Sequence, residues 1–167
     1  MHVMQAINER RSVRKYRSDP IEPEKLDKIA EAFRLAPSAV NAQNWKLYIV
    51  TDKAAKERIK NASPGKPEMI TEAYAVLVGT CSSNREMLNG HRVDSVDVSI
   101  ALSFAMLEAQ ELGLGTCWIG YYTEPEMRKA LNLSEDTTII AVMPVGYAAE
   151  KPEQRPRKDM AEVVEYI

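Results

Sequence analysis

The chain has almost none of the residues from which metal or thiol sites are built. It contains two histidines, His2 and His91, and two cysteines, Cys81 and Cys117. Neither pair stands at ligand spacing and no C-x-x-C occurs, which argues against a zinc site and against a dithiol redox centre. Two isolated thiols suit a reduced core in a cytosolic protein. Basic excess is also missing: 22 Lys and Arg against 24 Asp and Glu give a net charge of -2, which argues against a general nucleic-acid binder. No apolar run is long enough to span a membrane, and MHVMQAINERR has no signal-peptide core, so the chain is expected to be soluble and cytoplasmic. The few glycines do not form a phosphate loop. In GLGTCWIG a dinucleotide fingerprint would need a third glycine where Trp118 stands, and the glycines follow a helix and precede a strand, the reverse of the required order. Gly115 and Gly120 have Walker-type spacing, but Tyr121 and Tyr122 replace the needed Lys and Ser or Thr.

What the chain does have is apolar surface in long stretches. At 45% hydrophobic and 28% charged over 167 residues, it reads as a single domain, 1–167, with a substantial core. It is organised around VDVSIALSFAMLEAQELGLGTCWIG, Val96 to Gly120. Between Val98 and Leu107 only Ser99 and Ser103 are polar, so a helix here is apolar nearly all round. Such a helix is expected to be buried on almost every side, with a subunit interface supplying part of the cover. Gly113 is its expected left-handed stop, and TCWIGYY beyond it reads as a strand.

Taken in order, Val3 to Glu9 reads as a short amphipathic helix. Pro23 opens a second, with Leu26, Ile29, Ala30 and Phe33 at helical spacing, which must end before Pro37. Pro37 to Asn44, PSAVNAQN, is a shaped loop. Trp45 to Val50 is a strand, Thr51-Asp52 caps a helix over roughly Ala54 to Asn61, and Ala73 to Cys81 is an inner strand. Ser82 to Asp94 is the most polar internal stretch and reads as a surface loop. Thr123 and Glu126 make a capping box for a helix through Leu131, Thr137 to Tyr147 is the last core strand, and Asp159 caps a short helix in the tail. This order describes an α+β or mixed three-layer domain with about four core strands.

Several residues invite a chemical reading. Asp94 and Asp97 flank the start of the long helix and read as capping carboxylates in preference to an acid-base pair. Cys117 reads as buried filler. The run Arg10, Arg11, Ser12, Arg14, Lys15 and Arg17 is either a solvated face or an anion site, because guanidinium forks around a hydroxyl match phosphate oxygens. Arg155 and Arg157 lie near the other terminus. If the termini meet, the two clusters could clamp one phosphate.

The motifs RRSVRKY, APSAVNAQNW from Ala36 to Trp45, GLGTCWIG and VGYAAEKPEQRPRKD resemble, in order and spacing, those of the FMN-dependent nitroreductase family over nearly the whole chain. The resemblance implies a three-layer α/β/α fold with a central mixed, largely antiparallel sheet. It also implies a homodimer with the long buried helix at its interface and FMN sites shared between subunits. Arg10, Arg11, Ser12 and Arg14 would form the FMN-binding segment, with Arg10 and Ser12 toward the phosphate and ribityl chain. Arg14 would lie near the pyrimidine edge, where a cation stabilises the charge of the reduced ring. Arg155 and Arg157 would be C-terminal phosphate ligands. Pro37, Ser38, Ala39 and Asn41 would come from the other subunit and pack near the ring, with Gln43 in the same motif. Backbone at Ile119 and Gly120 would pass over the flavin, with a main-chain N–H reaching N5.

The implied function is an oxidoreductase that takes hydride from NADH or NADPH onto FMN and passes the electrons to a nitroaromatic, quinone or similar small acceptor by a ping-pong cycle. No side chain is assigned as a dedicated acid or base. The chain departs from the family pattern at Ala39, where many members have serine, at Asn44, where a proline is common, and in lacking the extra helices that cover the substrate in fuller members. Rival readings are a specialised branch such as a dehalogenase or flavin-fragmenting enzyme, a flavin-binding sensor without turnover, and a cofactor-free protein that uses its basic face on an anionic partner.

Overall fold

A computed structural model describes residues 3–82 and 85–167. His2, and Ser83 and Asn84 of the polar stretch, lie outside the described residues. Helix α1 (Val3–Glu9) is followed by α2 (Pro23–Arg34), with Pro23 in the first turn and the exit before Pro37. Strand β1 (Trp45–Val50) leads to α3 (Lys53–Ala62), where the Asp52 carboxylate accepts a hydrogen bond from the Ala55 N–H and so caps the helix. A short helix, α4 (Met69–Glu72), precedes β2 (Ala75–Cys81). The sequence gives α4 no periodic signal, since one turn is too short to show any. The long helix α5 (Val93–Glu111), β3 (Gly115–Thr116), α6 (Glu124–Leu131), β4 (Thr138–Gly146) and α7 (Met160–Val163) complete the order.

The four strands form one sheet in the order β1-β2-β4-β3, and all three pairings are antiparallel. A lone parallel bridge from Ser12 to Thr116 extends it at the β3 edge. Every residue of β2 is buried, as a strand covered on both faces should be. One face carries Ala75, Leu77, Ala141 and Met143 against α2 and α5; the other carries Val76, Val78 and Val142 against Ile59 of α3, Ile70 of α4 and Met127 of α6. The result is three layers, helix on sheet on helix.

Two expectations need correction, both beyond helix α5, which a single chain covers on only part of its surface. Val98, Ala101, Leu102, Ala105 and Ala109 are buried, whereas Val96 and Phe104 are 43% and 44% exposed and line a surface trough with Ile100, Ser95, Ser99 and Ser103. The Ser99 and Ser103 hydroxyls donate to the carbonyls of Ser95 and Ser99, so the trough is less polar than its composition suggests. The expected strand TCWIGYY is interrupted. β3 holds only Gly115 and Thr116, and contact with β4 resumes at the bridge between Ile119 and Val142. Of the two β4 residues in between, Met143 and Pro144, the proline accepts a long 3.4 Å bond from Cys117 N–H and has no N–H to return. Finally, Thr123 does not cap α6 with its side chain. Glu124 instead accepts from the Ile139 N–H and pairs with Arg128, tying the first turn of α6 to β4.

The end of α5 follows its sequence signal. Gly113 has φ +76°, Leu114 N–H reaches back to the Ala109 carbonyl and Gly113 N–H to that of Gln110, so the last carbonyls are satisfied by a left-handed turn.

Candidate functional site

Between α1 and α2 the chain runs along the β3–β4 edge. Val13 N–H donates to the Thr116 carbonyl, Tyr16 bridges to Ala148, and Arg17 N–H donates to the Tyr147 carbonyl. Val13 and Tyr16 face inward and are buried. Gly115 is required for the close approach, since a Cβ there would stand 2.7 Å from a Val13 methyl. With the apolar residues turned in, the arginines are left on the outside.

They meet the C-terminal arginines there. Arg10, Arg11, Ser12 and Arg14 line a cleft of about 140 Å³ together with Arg155 and Arg157, and Pro152, Glu153 and Gln154 complete its wall. Residues 152–154 carried no chemical signal in the sequence and enter only because the tail turns back over the N-terminal segment. No salt bridge engages any of these five guanidinium groups among the described residues. Arg11 donates to the carbonyls of Asn8 and Arg10, capping the end of α1 while it lines the cleft. Arg10 is held below its ordinary pKa, first by burial and then by the neighbouring charges of Arg157 and Arg11. Five like charges gathered with no ion pair among the described residues, and with Glu153 as the one carboxylate in the wall, are unfavourable unless an anion joins them.

The Cys117 thiol lies nearby. Burial pushes its pKa up, against the pull of Arg14 and Arg10. Burial also drives Cys81 up, to about 11. Both thiols are free and buried, so neither has the thiolate character of a reactive cysteine. Backbone at Ile119 and Gly120 continues from this edge. Ile119 N–H is committed to the Val142 carbonyl at 2.9 Å, so it is not free to reach a ligand.

The loop holding Pro37, Ser38, Ala39, Asn41 and Gln43 lies elsewhere. Ala39 N–H donates to both carboxylate oxygens of Asp97 at 3.2 and 3.1 Å, and the Asn44 amide reaches Asp94 at 3.5 Å. The two buried aspartates are therefore tethers: Asp97 for this loop, and Asp94, which also accepts from Arg85 N–H, for the polar stretch before α5. Both sit at the start of α5, while Arg11 shares a cavity wall with Gln110 and Gly113 at its end. At 1.5 Å per residue, Asp97 and Gln110 are about 20 Å apart. Within one chain the two halves of the expected site do not meet.

The loop is also strained. Val40 (φ 51°), Asn41 (φ 56°) and Gln43 (φ 52°) are all left-handed, and Val40 is 90% exposed. A β-branched residue is strongly disfavoured there, whereas asparagine tolerates it. Val40→Asn is therefore expected to raise stability by about 1 kcal/mol, read as a higher urea midpoint. A lower midpoint would show that contacts of the valine outweigh the strain.

The chain matches the family model described as the nitroreductase family over residues 7–68 and 61–147. A protein of Methanothermobacter thermautotrophicus is 34% identical over 159 residues, covering 93% of this chain and 82% of that protein. The FMN reductase (NAD(P)H) of Bacillus subtilis is 31% identical over 173 residues, covering 93% and 69% respectively. The crystal structure of a nitroreductase family protein from Clostridium novyi superposes with a TM-score of 0.85 at 27% identity, covering 92% of this chain and 90% of that one. From its family model, its relatives and its fold, the chain belongs to the nitroreductase family.

Proposed function

We propose that this chain binds FMN and acts as an NAD(P)H-dependent oxidoreductase toward a nitroaromatic, quinone or similar small acceptor. The observation that carries the reading is the cleft in which Arg10, Arg14, Arg155 and Arg157 converge from the two ends of the chain with no salt bridge among the described residues. Planar forks and the Ser12 hydroxyl are the donor set that a phosphate monoester requires, so the residues present fit the group. The similarity to an FMN reductase (NAD(P)H) supports the same cofactor and donor.

Bound FMN would supply the redox chemistry, taking hydride from NAD(P)H at N5 and passing the electron pair to the acceptor in a ping-pong cycle. The protein's part is binding and electrostatics. Arg10, Arg11, Ser12, Arg155 and Arg157 hold the phosphate and ribityl end. Arg14 places a positive charge toward the pyrimidine edge, and Gly120 offers a main-chain N–H.

The site is completed in a homodimer. A second copy packed antiparallel along α5 would bring its Pro37, Ser38, Ala39, Asn41 and Gln43 to this chain's arginines, and would cover Val96, Ile100 and Phe104. The separation of the two half-sites along α5 and the exposed trough support this arrangement.

The test is the visible spectrum of the purified protein, taken anaerobically before and after NADH and then NADPH. A flavin band that bleaches with either donor is the expected result. Colourless protein that takes up no added FMN would overturn the reading, and a band that neither donor bleaches would overturn the oxidoreductase part of it.

A further inference from the structure

Residues 147–150 run antiparallel to residues 14–17. Arg17 N–H donates to Tyr147 at 2.8 Å, Tyr16 bridges to Ala148, and Ala149 N–H donates to Lys15 at 2.9 Å. At the next position the main-chain pattern stops, and the Arg14 N–H is taken by the side-chain carboxylate of Glu150. Beyond Glu150, the hydrogen bonds of the tail among the described residues are all internal to it. The Arg157 guanidinium bonds the carbonyls of Arg155 and Pro156, Asp159 N–H donates to Glu162, and residues 151–158 make no backbone hydrogen bond to the body of the protein. Glu150 thus makes the last hydrogen bond, among the described residues, between the body and the segment that carries Arg155 and Arg157, and beyond it only Pro152 is half-buried. It is half-buried, and its bond goes to the residue whose own guanidinium lines the same cleft.

We propose that Glu150 is a positioning residue for the phosphate cleft, pinning the C-terminal arginines to the Arg10–Arg14 segment; this rests on the FMN reading above. A carboxylate suits the task for two reasons. A side chain reaches the Arg14 N–H where the diverging backbone no longer can, and a charged acceptor makes the bond roughly twice as strong as a neutral one. It also sets one negative charge against the gathered arginines without occupying a guanidinium fork, since the bond is to a main-chain N–H. Glu150 therefore does not compete with the ligand for the guanidinium donors.

FMN and riboflavin differ only in the phosphate, so their ratio of affinities isolates the cleft. Dissociation constants for both, measured by flavin fluorescence on apoprotein, are compared for wild type, Glu150→Ala and Glu150→Gln. Glu150→Ala is expected to weaken FMN binding about tenfold, the effect of one charge-assisted hydrogen bond, and to leave riboflavin affinity unchanged. Glu150→Gln keeps an acceptor oxygen at about half the bond strength, so it should weaken FMN binding only about threefold. Equal weakening of both flavins would mean a merely structural role and would overturn the proposal, as would a wild-type preference for FMN that survives Glu150→Ala. Wild-type protein that binds the two flavins equally would overturn the phosphate cleft itself, so the two failures are distinguishable.

Discussion

Replacing Arg10 and Arg157 together with alanine is expected to weaken FMN binding by a factor of about 10² to 10⁴, while leaving the apoprotein at least as stable as wild type. The loss follows from hydrogen bonds to a charged group, each contributing about 1.5–3 kcal/mol. The opposite sign for stability follows from the apo cleft. Arg10 is partly buried beside Arg157 and Arg11, and its depressed pKa reflects burial first and those like charges second. No salt bridge among the described residues offsets them, and the Arg155 and Pro156 carbonyls that Arg157 bonds are exposed to water, so truncation removes repulsion and desolvation without leaving a buried partner unpaired. A fluorescence titration gives the first quantity and urea unfolding of the apoprotein the second. Unchanged FMN retention in the double variant would sink the phosphate assignment. Loss of stability in parallel with loss of binding would mean that the arginines hold the tail in place by themselves.

The second large effect lies in the seam between the sheet and α5. Leu102 is fully buried, and a Cβ built on Gly79 of β2 would stand 2.6 Å from its Cδ1 and 2.9 Å from a Val98 methyl. Leu102→Ala is expected to cost about 3 kcal/mol by opening a cavity, and Gly79→Ala about 1–3 kcal/mol by overpacking. The double variant should be more stable than the sum of the two predicts by about 1 kcal/mol, because the new methyl enters the space that Leu102 vacates. Urea unfolding of the four proteins closes the cycle. Strict additivity would show that Leu102 moves aside at no cost and that the seam is not tightly packed. The glycine lies in an apolar strand where its sequence offers no turn or bend to explain it; only the close approach of α5 does.

How much could be read in advance depended on the range over which each signal acts. The bounds of α1, α2, β1 and α3 were legible because helical period, a first-turn proline and an N-cap aspartate act within a few residues. The family motifs were legible for a similar reason, as each is a short string. TCWIGYY failed as a continuous strand although its composition is right for one. The interruption comes from Pro144, which is distant in sequence and adjacent only after the sheet forms. Thr123 makes no side-chain cap, and the start of α6 is held from a distance instead, by the bond from the Ile139 N–H to Glu124. The apolar girdle of α5 was read correctly as composition; within one chain the sheet, α1 and α2 cover only part of it.

For the site, the sequence by itself determined the ingredients: two arginine clusters, a small polar loop, and a glycine-bearing backbone segment, in the order of the nitroreductase family. The tertiary structure decided their grouping. It folded the tail back so that Arg155 and Arg157 join Arg10 and Arg14, chose Glu150 as the anchor, and tied Ala39 to Asp97 about 20 Å away along α5. The reason is that charge and period are properties of a stretch of chain, whereas a cleft depends on which distant stretches the packing of β4 and α5 brings side by side.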